Sequence, residues 1–89
     1  MKDLIIKALK ESLVELNYYD KDLHVSVSTP KNKTFGDLSS NIALLLSKKL
    51  NKSPLDIAND IKNNLEKSDL FRTINIADPG FLNFNLNPK

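Results

Sequence analysis

The sequence predicts an α+β fold in two layers, with helices packed on one face of a small, mainly antiparallel sheet that ends in a β-hairpin. Three observations carry that expectation. Apolar residues recur at three- and four-residue spacings in three separate segments, Leu82, Phe84 and Leu86 alternate with polar neighbours, and Asp78-Pro79-Gly80 separates two extended runs. With 89 residues, 40% of them hydrophobic, the chain fits one domain, residues 1–89. Such a domain buries roughly 60–65% of the surface its unfolded chain exposes, so most apolar side chains must serve one core.

The first helix is expected from Asp3 to about Asn17, because Ile5, Leu9, Leu13 and Leu16 share a face while Lys7, Lys10, Glu11 and Glu15 take others. Residues 23 to 28 then alternate, with Leu23, Val25 and Val27 on one side and His24, Ser26 and Ser28 on the other, as in a half-buried strand. Thr29 to Thr34 has no period and carries Pro30, Asn32 and two lysines, so it reads as a loop. Helical spacing returns at Leu38, Ile42, Leu45, Leu46 and Leu50, with Asp37 placed to cap.

Asn51 suits the left-handed residue that closes such a helix. Ser53-Pro54-Leu55-Asp56 then offers a cap, a first-turn proline and an early acid, and Ile57, Ala58, Ile61 and Leu65 form the buried stripe of a third helix. Residues 71 to 77 and 81 to 86 make the terminal hairpin, because proline fixes φ and glycine permits the reversal.

Composition excludes several function classes. There are no cysteines and a single histidine, so neither a disulfide framework nor a cysteine-ligated zinc site can form, His24 cannot build a histidine site alone, and it reads as an ordinary exposed side chain. Thirteen basic against eleven acidic residues give a net charge of +2, too little to hold nucleic acid by charge alone; any such contact must be local. No apolar run reaches the roughly 20 residues of a membrane span, and the N-terminus is amphipathic, so the expected location is cytoplasmic. The glycine-rich Gly-Lys-Ser/Thr phosphate loop and a Ser-His-acid set are missing, and Asp56 and Asp60 belong to a solvated helix face. No catalytic residue, metal ligand or cofactor site is expected in this chain.

Alternation places Leu82, Phe84 and Leu86 inward and Phe81, Asn83, Asn85 and Asn87 outward, with Thr73, Asn75 and Ala77 on the same open face. An aromatic ring two residues from a carboxamide offers a platform for an unstacked base and a donor and acceptor for its edge. Stacking contributes roughly 1–3 kcal/mol per base. The same residues also fit a plainer role, with Phe81 stapling the hairpin end and the asparagines wetting an open face. Both readings stand on the residues alone.

Thr34 to Asn41 combines Phe35, Gly36, Asp37, Ser39, Ser40 and Asn41 around an expected helix start, where free amides can receive a phosphate. Asp37 opposes this if it already caps those amides. Lys48, Lys49 and Lys52 cluster at a helix end, where they complement the dipole or position a backbone phosphate.

Phe35-Gly36-Asp37-Leu38-Ser39-Ser40-Asn41-Ile42-Ala43, Lys48-Lys49-Leu50, Pro54, Ile57-Ala58 and Pro79-Gly80-Phe81-Leu82-Asn83-Phe84 together resemble the N-terminal additional domain of arginyl-tRNA synthetase. The resemblance spans nearly the whole chain. It implies an α+β domain, ahead of a class I core in the same polypeptide, that leans on the elbow of tRNA(Arg) and recognises a D-loop base. The aromatic position matches Phe81 and the amide position Asn83. Asp78, where the family often has a neutral residue, sets a negative charge beside that base; Leu38 and Asn51 stand where the family often has tyrosine and glycine. The histidine motif and the Lys-Met-Ser-Lys-Ser-like loop of class I synthetases are absent, so this chain alone does not aminoacylate. The resemblance implies ATP and magnesium for the full-length enzyme and a monomer. The alternative is a protein-interaction or interdomain scaffold module without direct RNA contact.

Overall fold

The computed structural model describes residues 2–32 and 36–88. Its elements are α1 (Lys2–Glu15), β1 (Leu38–Ser40), α2 (Ile42–Leu50), α3 (Pro54–Leu65), β2 (Phe71–Ala77) and β3 (Phe81–Leu86). The strands form one sheet in the order β1-β3-β2, antiparallel throughout. The expected two-layer α+β architecture is therefore the one observed.

Each helix turns its apolar stripe inward. Ile5, Leu9 and Leu13 of α1, Ile42 and Leu46 of α2, and Ile57, Ala58, Ile61 and Leu65 of α3 meet Ile74, Leu82 and Phe84 from the sheet. Fully burying one such side chain contributes about 1.5–3 kcal/mol. Phe84 has no exposed surface, and its ring lies 5.2 Å from that of Phe71 at 42°. Asn51 ends α2 in the left-handed conformation, φ 53° and ψ 46°, with its amide on the Ser47 carbonyl. α3 begins with Ser53, Pro54 and Asp56 in the expected places, although the Ser53 hydroxyl makes no capping bond.

Two elements differ from expectation. Leu38 to Ser40, assigned above to the start of the second helix, form β1 instead, and the helix begins after Asn41. The four-residue step from Leu38 to Ile42 fits a helix, but Leu38 and Ser40 are both buried, a two-residue period that fits a strand. Asp37 does not cap α2: its amide donates to the Phe84 carbonyl at 2.8 Å, and its Oδ2 accepts the Leu86 amide at 2.9 Å. That carboxylate extends the sheet edge.

The segment at 23 to 28 keeps its alternation, with Leu23 and Val25 buried and His24 exposed, but is not a strand. It pairs only at Ser28 and Ser39, whose amides and carbonyls exchange two bonds of 2.8 Å. The Ser40 hydroxyl holds the neighbouring turn, donating to the Ser26 carbonyl at 2.8 Å and accepting the Ile42 amide at 3.2 Å. Ser26 and Ser28 thereby flank β1 on the sheet's outer edge. Of the expected loop, Lys33 and Thr34 lie outside the described residues.

Candidate nucleic-acid interface

β3 is the central strand, so its outward residues stand between those of β1 and β2 on the face turned away from the helices. Asn83 lies opposite Ser39 of β1 and Asn75 of β2, and Phe81 lies opposite Ala77. The hairpin turn that leads into Phe81 is seated on α3: a Cβ on Gly80 would stand 2.9 Å from the Pro54 Cβ. Close approach of two elements demands glycine there.

Ring and carboxamide share a face, as alternation requires, but they differ in depth. Phe81 is 39% exposed and Asn83 only 8%. The expectation that both project into water is corrected for Asn83, which a central strand sets between two neighbours. Around it stand Ser39 and Asp78, the aliphatic Pro30 and Ala77, and the Phe81 ring. Asn85, on the same strand face, spends its amide on the Thr73 hydroxyl at 2.8 Å. The Asn83 side chain makes no hydrogen bond among the described residues. The only wholly sealed side-chain polar atom without a partner among them is Ser12 Oγ, so the Asn83 carboxamide keeps its opening to solvent.

That opening is a cavity of about 320 Å³ bounded by Pro30, Ser39, Ala77, Asp78, Phe81 and Asn83. Asp78 is exposed at its rim and pairs with no described residue. A second cavity, about 210 Å³, lies against Phe81 and is bounded otherwise by Ser26, Ser28, Ser39, Ser40 and Asn41. Phe81 and Ser39 are common to both. Sequence reasoning missed Pro30, Ser26 and Ser28 here. The alternation of Ser26 and Ser28 carried the signal, but only the register with β1 shows what they face.

The remaining candidates separate. Phe35 lies outside the described residues. Gly36, at φ 110°, is buried against β3, and Asp37 is fixed by Phe84 and Leu86. Lys49 pairs with Asp20 at 2.7 Å, where the Asp22 amide first and the Lys49 ammonium second hold the Asp20 carboxyl below the usual carboxylate range. Lys52 donates to the Tyr18 hydroxyl at 2.6 Å and lies 3.6 Å from Asp60, partners that raise its affinity for its proton. Lys48 is exposed and pairs with no described residue.

Among the described residues, no group of three or more His, Cys, Asp or Glu could hold a metal ion, and no helix is long and apolar enough to cross a membrane. The arrangement suits recognition: an exposed ring, a carboxamide in the same cavity that no described residue pairs, and a Ser39 hydroxyl alongside.

A family described as the arginyl tRNA synthetase N terminal domain matches residues 1–86. An arginine–tRNA ligase of Ureaplasma parvum serovar 3 is 45% identical over 86 residues, covering 96% of this chain and 16% of that protein. One from Thermotoga maritima is 36% identical over 85 residues, covering 93% and 16%. The Thermus thermophilus arginyl-tRNA synthetase structure superposes with a TM-score of 0.78 at 23% identity, over 98% of this chain and 14% of that one, a likeness of fold. The chain thus spans about a sixth of the length of the relatives it matches.

Proposed function

The chain belongs to the arginyl-tRNA synthetase N-terminal domain family, and from that premise we propose that it recognises a D-loop base at the elbow of tRNA(Arg) and so positions the tRNA for arginylation by a class I core in the same polypeptide. Phe81 stacks on the extruded base, Asn83 reads its edge, and Asp78, an acceptor only, bonds an exocyclic amino group. Lys48 steers the backbone, since Lys49 and Lys52 are engaged within the domain. Catalysis, with ATP and magnesium, falls to the rest of the enzyme, which acts as a cytoplasmic monomer.

One observation carries this reading: Asn83, 8% exposed and without a side-chain partner among the described residues, shares a cavity with the exposed Phe81 ring. The carboxamide keeps its opening to solvent, so a base edge can take the donor and acceptor that no described residue engages. A two-point amide contact with a base contributes about 1–3 kcal/mol of discrimination. The surrounding field is nearly neutral, so recognition is local and shape-led.

The test is kinetic. In the complete enzyme, Phe81→Ala and Asn83→Ala raise KM for tRNA(Arg) and leave arginine and ATP binding unchanged. Unaltered tRNA kinetics in both variants refutes the assignment and favours the interdomain scaffold.

A further inference from the structure

We propose that the serine-lined cavity on the far side of Phe81 is a backbone subsite, which takes the phosphodiester flanking the base that Phe81 and Asn83 hold; the proposal rests on the base-recognition reading and deepens it. The two cavities adjoin, with Phe81 and Ser39 common to both. Base and phosphate of one nucleotide adjoin in the same way, so a base seated over Asn83 brings its own backbone to the Phe81 edge.

The lining suits an anion that accepts hydrogen bonds. The hydroxyls of Ser26, Ser28 and Ser39 and the Asn41 carboxamide make no side-chain hydrogen bond among the described residues, whereas the Ser40 hydroxyl is committed to the Ser26 carbonyl and Ile42 amide. Three free hydroxyls and one amide therefore converge on about 210 Å³ without a carboxylate among them. Asp78, the acid of the site, bounds only the other cavity. The division follows chemistry: acceptors beside the base, donors beside the backbone.

Two further features agree. Asn41 precedes the first turn of α2 without a side-chain cap, so its carboxamide is free for a ligand at the positive end of the helix dipole. Serine and asparagine side chains are ordinary phosphate contacts, and they fix register without reading sequence.

The backbone bonds between Ser28 and Ser39 do not involve the hydroxyls, so Ser28→Ala/Ser39→Ala should keep the fold. The test measures binding of the full-length enzyme to tRNA(Arg) transcripts carrying an abasic D-loop position or a methylphosphonate at each linkage flanking it. The double variant is expected to bind intact tRNA about 10- to 150-fold more weakly, the scale of a hydrogen bond to a charged group. It should lose a similar factor on abasic tRNA. One methylphosphonate should weaken the unmodified enzyme comparably and leave the double variant little affected. Equal methylphosphonate penalties in both proteins, or full affinity in the double variant, overturns the subsite. The unmodified enzyme alone also decides it, since two silent methylphosphonates have the same meaning. If Phe81→Ala and the abasic tRNA change nothing, the base reading itself fails, an outcome distinct from failure of the subsite.

Discussion

A Cβ on Gly36 would stand 2.8 Å from the main-chain carbonyl oxygen of Phe84, closer than non-bonded atoms tolerate. Gly36 also holds φ at 110°, where side-chain-bearing residues are strained. Gly36 is thus pressed against the central strand, and the next residue, Asp37, bonds that strand twice. Gly36→Ala is expected to destabilise the fold by at least about 1–3 kcal/mol, the scale of one strained backbone conformation. A denaturant midpoint equal to that of the unsubstituted protein contradicts the account.

Phe84 lies across the sheet from the site, fully buried against Phe71. Phe84→Ala should cost about 3–5 kcal/mol, lost transfer energy plus the cavity left behind. Because Phe84 pairs with both Leu38 and Ile74, the loss should also loosen β1. Amide hydrogen exchange at Ser39 is the check, and protection there should fall along with global stability.

Asp20 supplies the pH dependence. Its carboxyl accepts the Asp22 amide at 3.0 Å and the Lys49 ammonium at 2.7 Å, and both hold it charged. A carboxyl with a lowered folded-state pKa stabilises above its unfolded-state value, and the contribution disappears as pH falls through the folded value. The tie between the α1 exit and α2 should therefore weaken only in acid. In an NMR titration of the Asp20 carboxyl carbon, Lys49→Ala should move the midpoint only part of the way up, because the Asp22 amide remains. A complete return to the ordinary carboxylate value would make Lys49 the sole cause.

Much of this was legible in the residues. The hairpin was readable to its ends because proline and glycine punctuate it and alternation sorts its faces. α3 was readable because Ser53, Pro54 and its apolar stripe agree. β1 was not: three residues are too short to display a period, and Leu38 meets a helical spacing by accident of the step to Ile42. What fixes it is the long-range pairing of Asp37 and Leu38 with β3, some forty-six residues later at the Leu38–Phe84 pair. Asn83's face was legible and its depth was not, because burial there depends on which strand is central. The serine cavity was hidden for the same reason.

Asn83→Ala separates a binding group from a structural one. If the carboxamide braced the hairpin, removing it would cost stability, as loss of the Asn85 bond to Thr73 should. Asn83 braces nothing among the described residues, so truncation should leave stability unchanged or raise it slightly, while tRNA affinity falls by about 5- to 150-fold, the equivalent of roughly 1–3 kcal/mol. Groups retained against stability are a mark of function. Asn85→Ala is the internal control, expected to lower stability by about 0.5–1.5 kcal/mol and to spare binding. Thermal unfolding and tRNA titration of the two variants side by side give the answer: if Asn83→Ala is the less stable of the pair, its amide belongs to the fold and the ligand must be sought elsewhere.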